Sequence, residues 1–154
     1  MKKMICLIIL GIFLGLCFIF IILSFISRRP PERGLVNGRL RPCPGTPNCV
    51  CSETPESPLF VEPLQVRGSP REEWERAKGL VQSLGGRVEF EEEAYLQAVF
   101  VTKLFRFRDD VELRMDTDEG LIHIRSSSRV GYSDFGQNRK RVRIIQAAFR
   151  KGDM

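Results

Sequence analysis

The stretch 125–141, RSSSRVGYSDFGQNRKR, gathers the residue types that hold an anion. Three hydroxyls follow Arg125, Arg129 comes next, Gly131 and Gly136 shape the chain, and a helix begins near Arg139. Guanidinium groups make charge-assisted bonds to carboxylate or phosphate, and a helix start offers free N–H groups to the same charge. Arg125, Ser127, Arg129, Gly131, Asp134, Asn138 and Arg139 are therefore the candidate ligand-binding residues, with convergence of the three arginines on one anionic group as the expectation. The competing expectation is structural: Ser133 or Asp134 caps the helix, and the arginines pair with Glu112, Asp109 or Asp110.

Other chemistry is thinly represented. His123, Asp109 and the serines 126–128 include the residue types of a hydrolytic triad, but no Gly-x-Ser-x-Gly elbow occurs, and a polar strand face accounts for His123. No catalytic residue is assigned. There is no phosphate loop or dinucleotide fingerprint. Glu91, Glu92 and Glu93 read as a solvated strand end, and Cys43, Cys49 and Cys51 have neither zinc-site spacing nor a nearby histidine, so neither metal nor cofactor is expected. Cys43 and Cys49 bracket a Pro/Gly turn that could close a small disulfide loop. Unpaired turn cysteines and pairing with Cys51 are the alternatives; the expectation is a Cys43–Cys49 bond with Cys51 free.

The elements that must position these residues follow from periodicity. Val111, Leu113 and Met115 share one strand face, Ile122 and Ile124 share another, and 117–120 is the turn between them. Placing Asp116 opposite Leu121 sets Met115 against Ile122 and Leu113 against Ile124, with Glu112 facing Arg125 and Arg114 facing His123 on the outer, solvated side. A slip of one residue would scatter the apolar set to both faces. Residues 59–66, 88–92 and 95–104 read as further strands. Trp74, Ala77, Leu80, Val81 and Leu84 recur at helical spacing after a capping box at 69–72, and Gly85-Gly86 ends that helix. Val142, Ile145, Ala148 and Phe149 give a last helix over 138–149. The fold class is α+β, an antiparallel sheet with two helices.

Ahead of this domain, residues 4–26 carry no charge and form, as a helix, a rod roughly 35 Å long, enough for a hydrocarbon core of about 30 Å. The run exceeds a signal-peptide core, no small-x-small cleavage site precedes Arg28-Arg29, and Leu16 before Cys17 does not fit acylation, so a retained anchor is expected. The organisation is 1–29 membrane anchor, 30–58 Pro/Gly-rich linker with the cysteine turn, and 59–154 domain. Basic residues flank both ends of the anchor, which leaves orientation undecided by charge. The cysteines favour an oxidising compartment and hence a single-pass inner-membrane protein with its domain on the periplasmic side. Of the 24 basic residues four belong to the anchor, leaving 20 against 19 acidic. A nearly neutral, tethered domain is a poor nucleic-acid binder. Its expected partners are lipid through residues 4–26 and, at the basic segment, an anionic small molecule, a glycan or an acidic protein surface.

Three blocks in order, Arg41-Pro42-Cys43-Pro44 with Pro47-Asn48-Cys49-Val50, Phe107 with Asp109-Asp110-Val111, and the 125–139 segment, resemble the signature of the family called domain of unknown function 1499. The resemblance runs from about Arg39 to the C-terminus, departs at Cys51 where similar chains have serine, and implies small anchored or exported proteins without an assigned reaction. The function expected is a binding module of the cell envelope, the alternative being a hydrolase-like envelope enzyme using residues 123–139.

Overall fold

The computed structural model describes residues 2–152. Met1, Asp153 and Met154, at the outer limits of the expected anchor and domain, lie outside the described residues. Helix α1 (Lys2–Ile26) is exposed along nearly all its length and is apolar and long enough to cross a membrane. The domain follows as β1 (Cys49–Cys51), β2 (Leu64–Gln65), α2 (Pro70–Ser83), β3 (Arg87–Glu92), β4 (Tyr95–Val101), β5 (Arg108–Asp116), β6 (Leu121–Ser128) and α3 (Gln137–Lys151). The strands form one antiparallel sheet in the order β1-β6-β5-β4-β3, with β2 also paired to β6. This is the α+β class that periodicity predicts.

The central hairpin has the predicted register: Asp116 faces Leu121, Met115 faces Ile122, Arg114 faces His123, Leu113 faces Ile124 and Glu112 faces Arg125. One sheet face presents Leu96, Ala98, Val111, Leu113, Ile122 and Ile124 to Trp74, Ala77 and Val81 of α2 and to Val142, Ile145 and Phe149 of α3. Burying each large side chain contributes about 1.5–3 kcal/mol, so this layer carries most of the stabilisation. Helix α2 stops where Gly85 turns at φ +97°, which lets the Gly86 N–H donate to the Val81 carbonyl at 2.9 Å.

Four expectations need correction. Residues 30–58 are not only a linker, because Cys49–Cys51 forms β1 and pairs with β6; three residues, Cys-Val-Cys, are too few to show a period. The strand expected over 59–66 contributes only Leu64–Gln65. The Ser69 side chain makes no capping bond to α2, although its carbonyl accepts the first helical bond from the Glu73 N–H at 3.0 Å and Pro70 opens the helix as expected. The hairpin face expected in solvent is covered, since Leu35, Leu40, Cys43 and Phe90 pack with Cys51 and Tyr95 over it, leaving Arg125 8 % and His123 7 % exposed.

Cys43 and Cys49 are disulfide-bonded at a Cα separation of 5.6 Å, and Cys51 is free and buried, its thiol pKa pushed up by that burial. In the native protein Cys51 should therefore resist alkylation and react only after denaturation, and mass mapping should find Cys43 joined to Cys49. Because the closed loop is short, reduction should cost less than the roughly 3 kcal/mol of a 15-residue loop, read as a small fall in melting temperature.

Candidate functional site

Two polar networks grow from the ends and faces of β5 and β6. On the helix side, Asp109 accepts from Arg141 Nη2 at 2.7 Å, and Arg141 Nη1 also reaches Ser126 Oγ at 3.1 Å and Asn138 Oδ1 at 2.5 Å. Asn138 Nδ2 donates to the Asn48 carbonyl and to Ser128 Oγ, each at 2.9 Å, so α3 is fastened to β1 and β6 through one amide. On the covered face, Asp110 receives a two-pronged Arg129, Nε at 2.8 Å and Nη2 at 2.7 Å, together with Gln97 Nε2 at 3.0 Å. Glu112 there is held by Arg125 and by the Tyr95 hydroxyl at 2.7 Å. Burial, then the Glu112 charge, pushes the Tyr95 pKa up, which keeps that hydroxyl a proton donor.

The structure thus does not bring Arg125, Arg129 and Arg139 together on one open anion site. Arg125 and Arg129 are committed to Glu112 and Asp110, and Arg139 donates to the carbonyls of Pro58 and Phe60, both at 2.8 Å. Ser127 lies in register between Cys49 and Asp110, and the Gly131 carbonyl accepts from Asn48 Nδ2 at 2.5 Å. Asp134 caps α3, accepting the Gly136 N–H at 2.9 Å and the Asn138 N–H at 2.6 Å. These are the pairings of the competing, structural expectation: Arg125 on Glu112, which it faces in the hairpin register, Arg129 on Asp110, Arg141 on Asp109, and Asp134 as the cap of α3.

A cleft of about 290 Å³ opens beside the β5–β6 turn, with Arg39, Ser52, Glu53, Arg114, Glu119 and His123 among its lining residues. Arg114 spans Glu53 at 2.6 Å and Asp116 at 3.1 Å. Ser52 Oγ accepts the Ile124 N–H at 2.8 Å and lies 3.2 Å from His123 Nδ1, fixing the imidazole so that Nε2 points to Glu119 Oε2 at 3.6 Å, beyond hydrogen-bond length. One ligand atom each of Asp116, Glu119 and His123 lies within 4.8 Å of the others. Two carboxylates and an imidazole at that spacing suit a divalent cation. Among the described residues the exposed Arg39 guanidinium has no hydrogen bond or ion pair. The sequence carried a signal for this cluster, Asp116-x-x-Glu119-x-x-x-His123 across a turn, but reading His123 as solvated hid it.

Residues 39–149 match the family described as protein of unknown function, DUF1499. The chain belongs to the DUF1499 family. No curated protein and no solved structure matches the chain. The DUF1499 region begins at Arg39 and contains both polar networks and all the cleft residues, whereas α1 lies before it.

Since Arg129 holds buried Asp110 in a two-pronged pair, Arg129→Ala should cost about 3–5 kcal/mol and several degrees of melting temperature, because it leaves an uncompensated buried charge. Arg139→Ala, which frees only two carbonyls at the surface side of α3, should cost clearly less in the same melts. The Asp116 carboxyl is held below its usual range, first by the Glu119 N–H and then by Arg114, with burial opposing. Glu89 is also lowered: burial works to raise it, but Arg87 and Arg129 outweigh that. Groups lowered on folding stabilise fully above their unfolded values near pH 4, and that contribution is lost as pH falls through the native ones. Acid unfolding of Asp116→Asn should accordingly depend less steeply on pH below about 4 than that of the native chain.

Proposed function

We propose that this DUF1499 protein is a single-pass protein of the bacterial inner membrane, held by residues 4–26, whose domain stands on the periplasmic side as a ligand-binding module. The Cys43–Cys49 bond supports an oxidising compartment. The observation that carries the binding reading is the convergence of Asp116, Glu119 and His123 at the edge of the open cleft. Arg114 is shared between Glu53 and Asp116, so Glu119 leaves the cleft short of positive charge. A divalent cation supplies it. Three protein ligands leave coordination positions facing the cleft, where unpaired Arg39 stands, and an anionic group of a small molecule, a glycan or an acidic protein surface would bridge cation and guanidinium. The arginines of 125–139 then serve the fold rather than the ligand.

Zinc titrated calorimetrically into the full chain in detergent micelles should show one site, weakened about tenfold or more by Glu119→Gln and by His123→Ala. Affinity should fall on acidification, because protons compete for the same imidazole and carboxylates. Equal affinity in the native chain and in both variants would remove the cation from the proposal. Alkaline phosphatase fused after Met154 should be active; an inactive fusion beside an active cytoplasmic reporter would reverse the topology.

A further inference from the structure

One end of the sheet is built unlike the other. There β4 leaves, β5 enters and β6 leaves, and the C-terminus of α1 is fastened to the same end: Ser27 Oγ accepts the Arg108 N–H at 3.3 Å, and Arg129 Nη1 donates to the carbonyls of Ser27 and Arg29 at 3.3 and 3.4 Å. The β4–β5 loop, Thr102-Lys103-Leu104-Phe105-Arg106-Phe107, is closed on itself by the Thr102 N–H to the Phe107 carbonyl at 2.9 Å. Its Phe105 ring stacks on Phe20 of α1 at 4.6 Å, and Phe107 lies 6.1 Å from the same ring. Phe20 is six residues before the end of α1 at Ile26, about 9 Å along the helix axis. With α1 in a bilayer, a loop touching Phe20 must itself enter that bilayer.

The neighbouring β6–α3 loop leaves from Ser128, opposite Asp109, at the same end of the sheet. It carries the largest apolar exposure in the domain: Phe135 is 95 % and Tyr132 74 % exposed, beside Leu104 at 81 % in the first loop. Lys103 and Arg106 flank Leu104 and Phe105 in the β4–β5 loop, which contains no acidic residue; Arg28 and Arg29 follow α1, Lys140 lies in the first turn of α3, and all five are exposed, while Asp134, the one acid of the β6–α3 loop, is taken by the Gly136 and Asn138 N–H groups. Aromatic and aliphatic tips ringed by lysine and arginine are the chemistry of the membrane interface, where rings lie at headgroup level and cations meet lipid phosphates.

Resting on the anchor reading above, we infer that this end of the domain docks on the lipid bilayer, with Leu104 and Phe105 inserted beside α1, Tyr132 and Phe135 seated at the interface, and the surrounding basic side chains on anionic headgroups. The domain is then held against the membrane in one orientation instead of swinging from a tether.

The test uses the full chain in vesicles of three parts phosphatidylcholine to one part phosphatidylglycerol, with a tryptophan placed at the exposed tips by Leu104→Trp or Phe135→Trp. Trp74, a buried residue of α2 that lies near Met115 at the other end of the sheet, is an internal reference. Acyl-chain-brominated lipid should quench each added tryptophan about twofold or more while sparing Trp74. Flotation of the vesicles after alkaline carbonate washing reads the anchor separately. Protein that floats but shows no added quenching at either position, or at only one, overturns the docking; protein that is washed off overturns the anchor and the docking with it.

Discussion

Two carboxylates on the sheet face away from the helices govern much of this structure. Asp110 and Glu112 alternate with the core residues Val111 and Leu113 along β5 and so point to the sheet face opposite the helices. That face is covered, and a buried carboxylate persists only with a hydrogen-bonded counter-ion. Arg129 and Arg125 supply it. Both pairs join residues distant in sequence, so β5 and β6 are pinned to one another by charge on this face as they are by Leu113 and Ile124 on the other. The covering layer depends on the pairs in turn: Leu35 and Leu40 can pack over Tyr95 because the polar groups beneath them are neutralised.

The same pairing explains why a strongly basic stretch presents little free positive charge. Four of its arginines end on protein acceptors: Arg125 on Glu112, Arg129 on Asp110, Arg139 on backbone carbonyls and Arg141 on Asp109. Their chemistry is that of phosphate or carboxylate recognition, turned inward. The β5–β6 turn is the exception, because Arg114 must serve two carboxylates and Glu119 is left at the surface beside an imidazole held by Ser52.

Arg129 also ties the domain to α1 through the carbonyls of Ser27 and Arg29, so the pair that satisfies Asp110 sets where the apolar helix leaves the domain. The cleft lies at the opposite end of β6, roughly 25 Å away for a strand of this length. The apolar helix thus leaves one end of the domain and the cleft opens at the other.

The hairpin register, helices α2 and α3, the α+β class and the length of the apolar helix were legible in the sequence, because each depends on a local period repeated over enough residues: two for β5 and β6, about 3.6 for the helices, and an unbroken run for α1. The family too was legible, in three blocks of residues. What lacks a period was not. Strand β1 has three residues and exists only because β6 accepts them, and α2 begins at Pro70 without a side-chain cap from Ser69. Only tertiary structure decided that the outer hairpin face would be covered, and from that followed the fate of the arginines and the position of the cleft. Whether a guanidinium waits for a ligand or completes the fold depends on which carboxylate a neighbouring strand places within about 3 Å of it, a distance in space that sequence order does not encode.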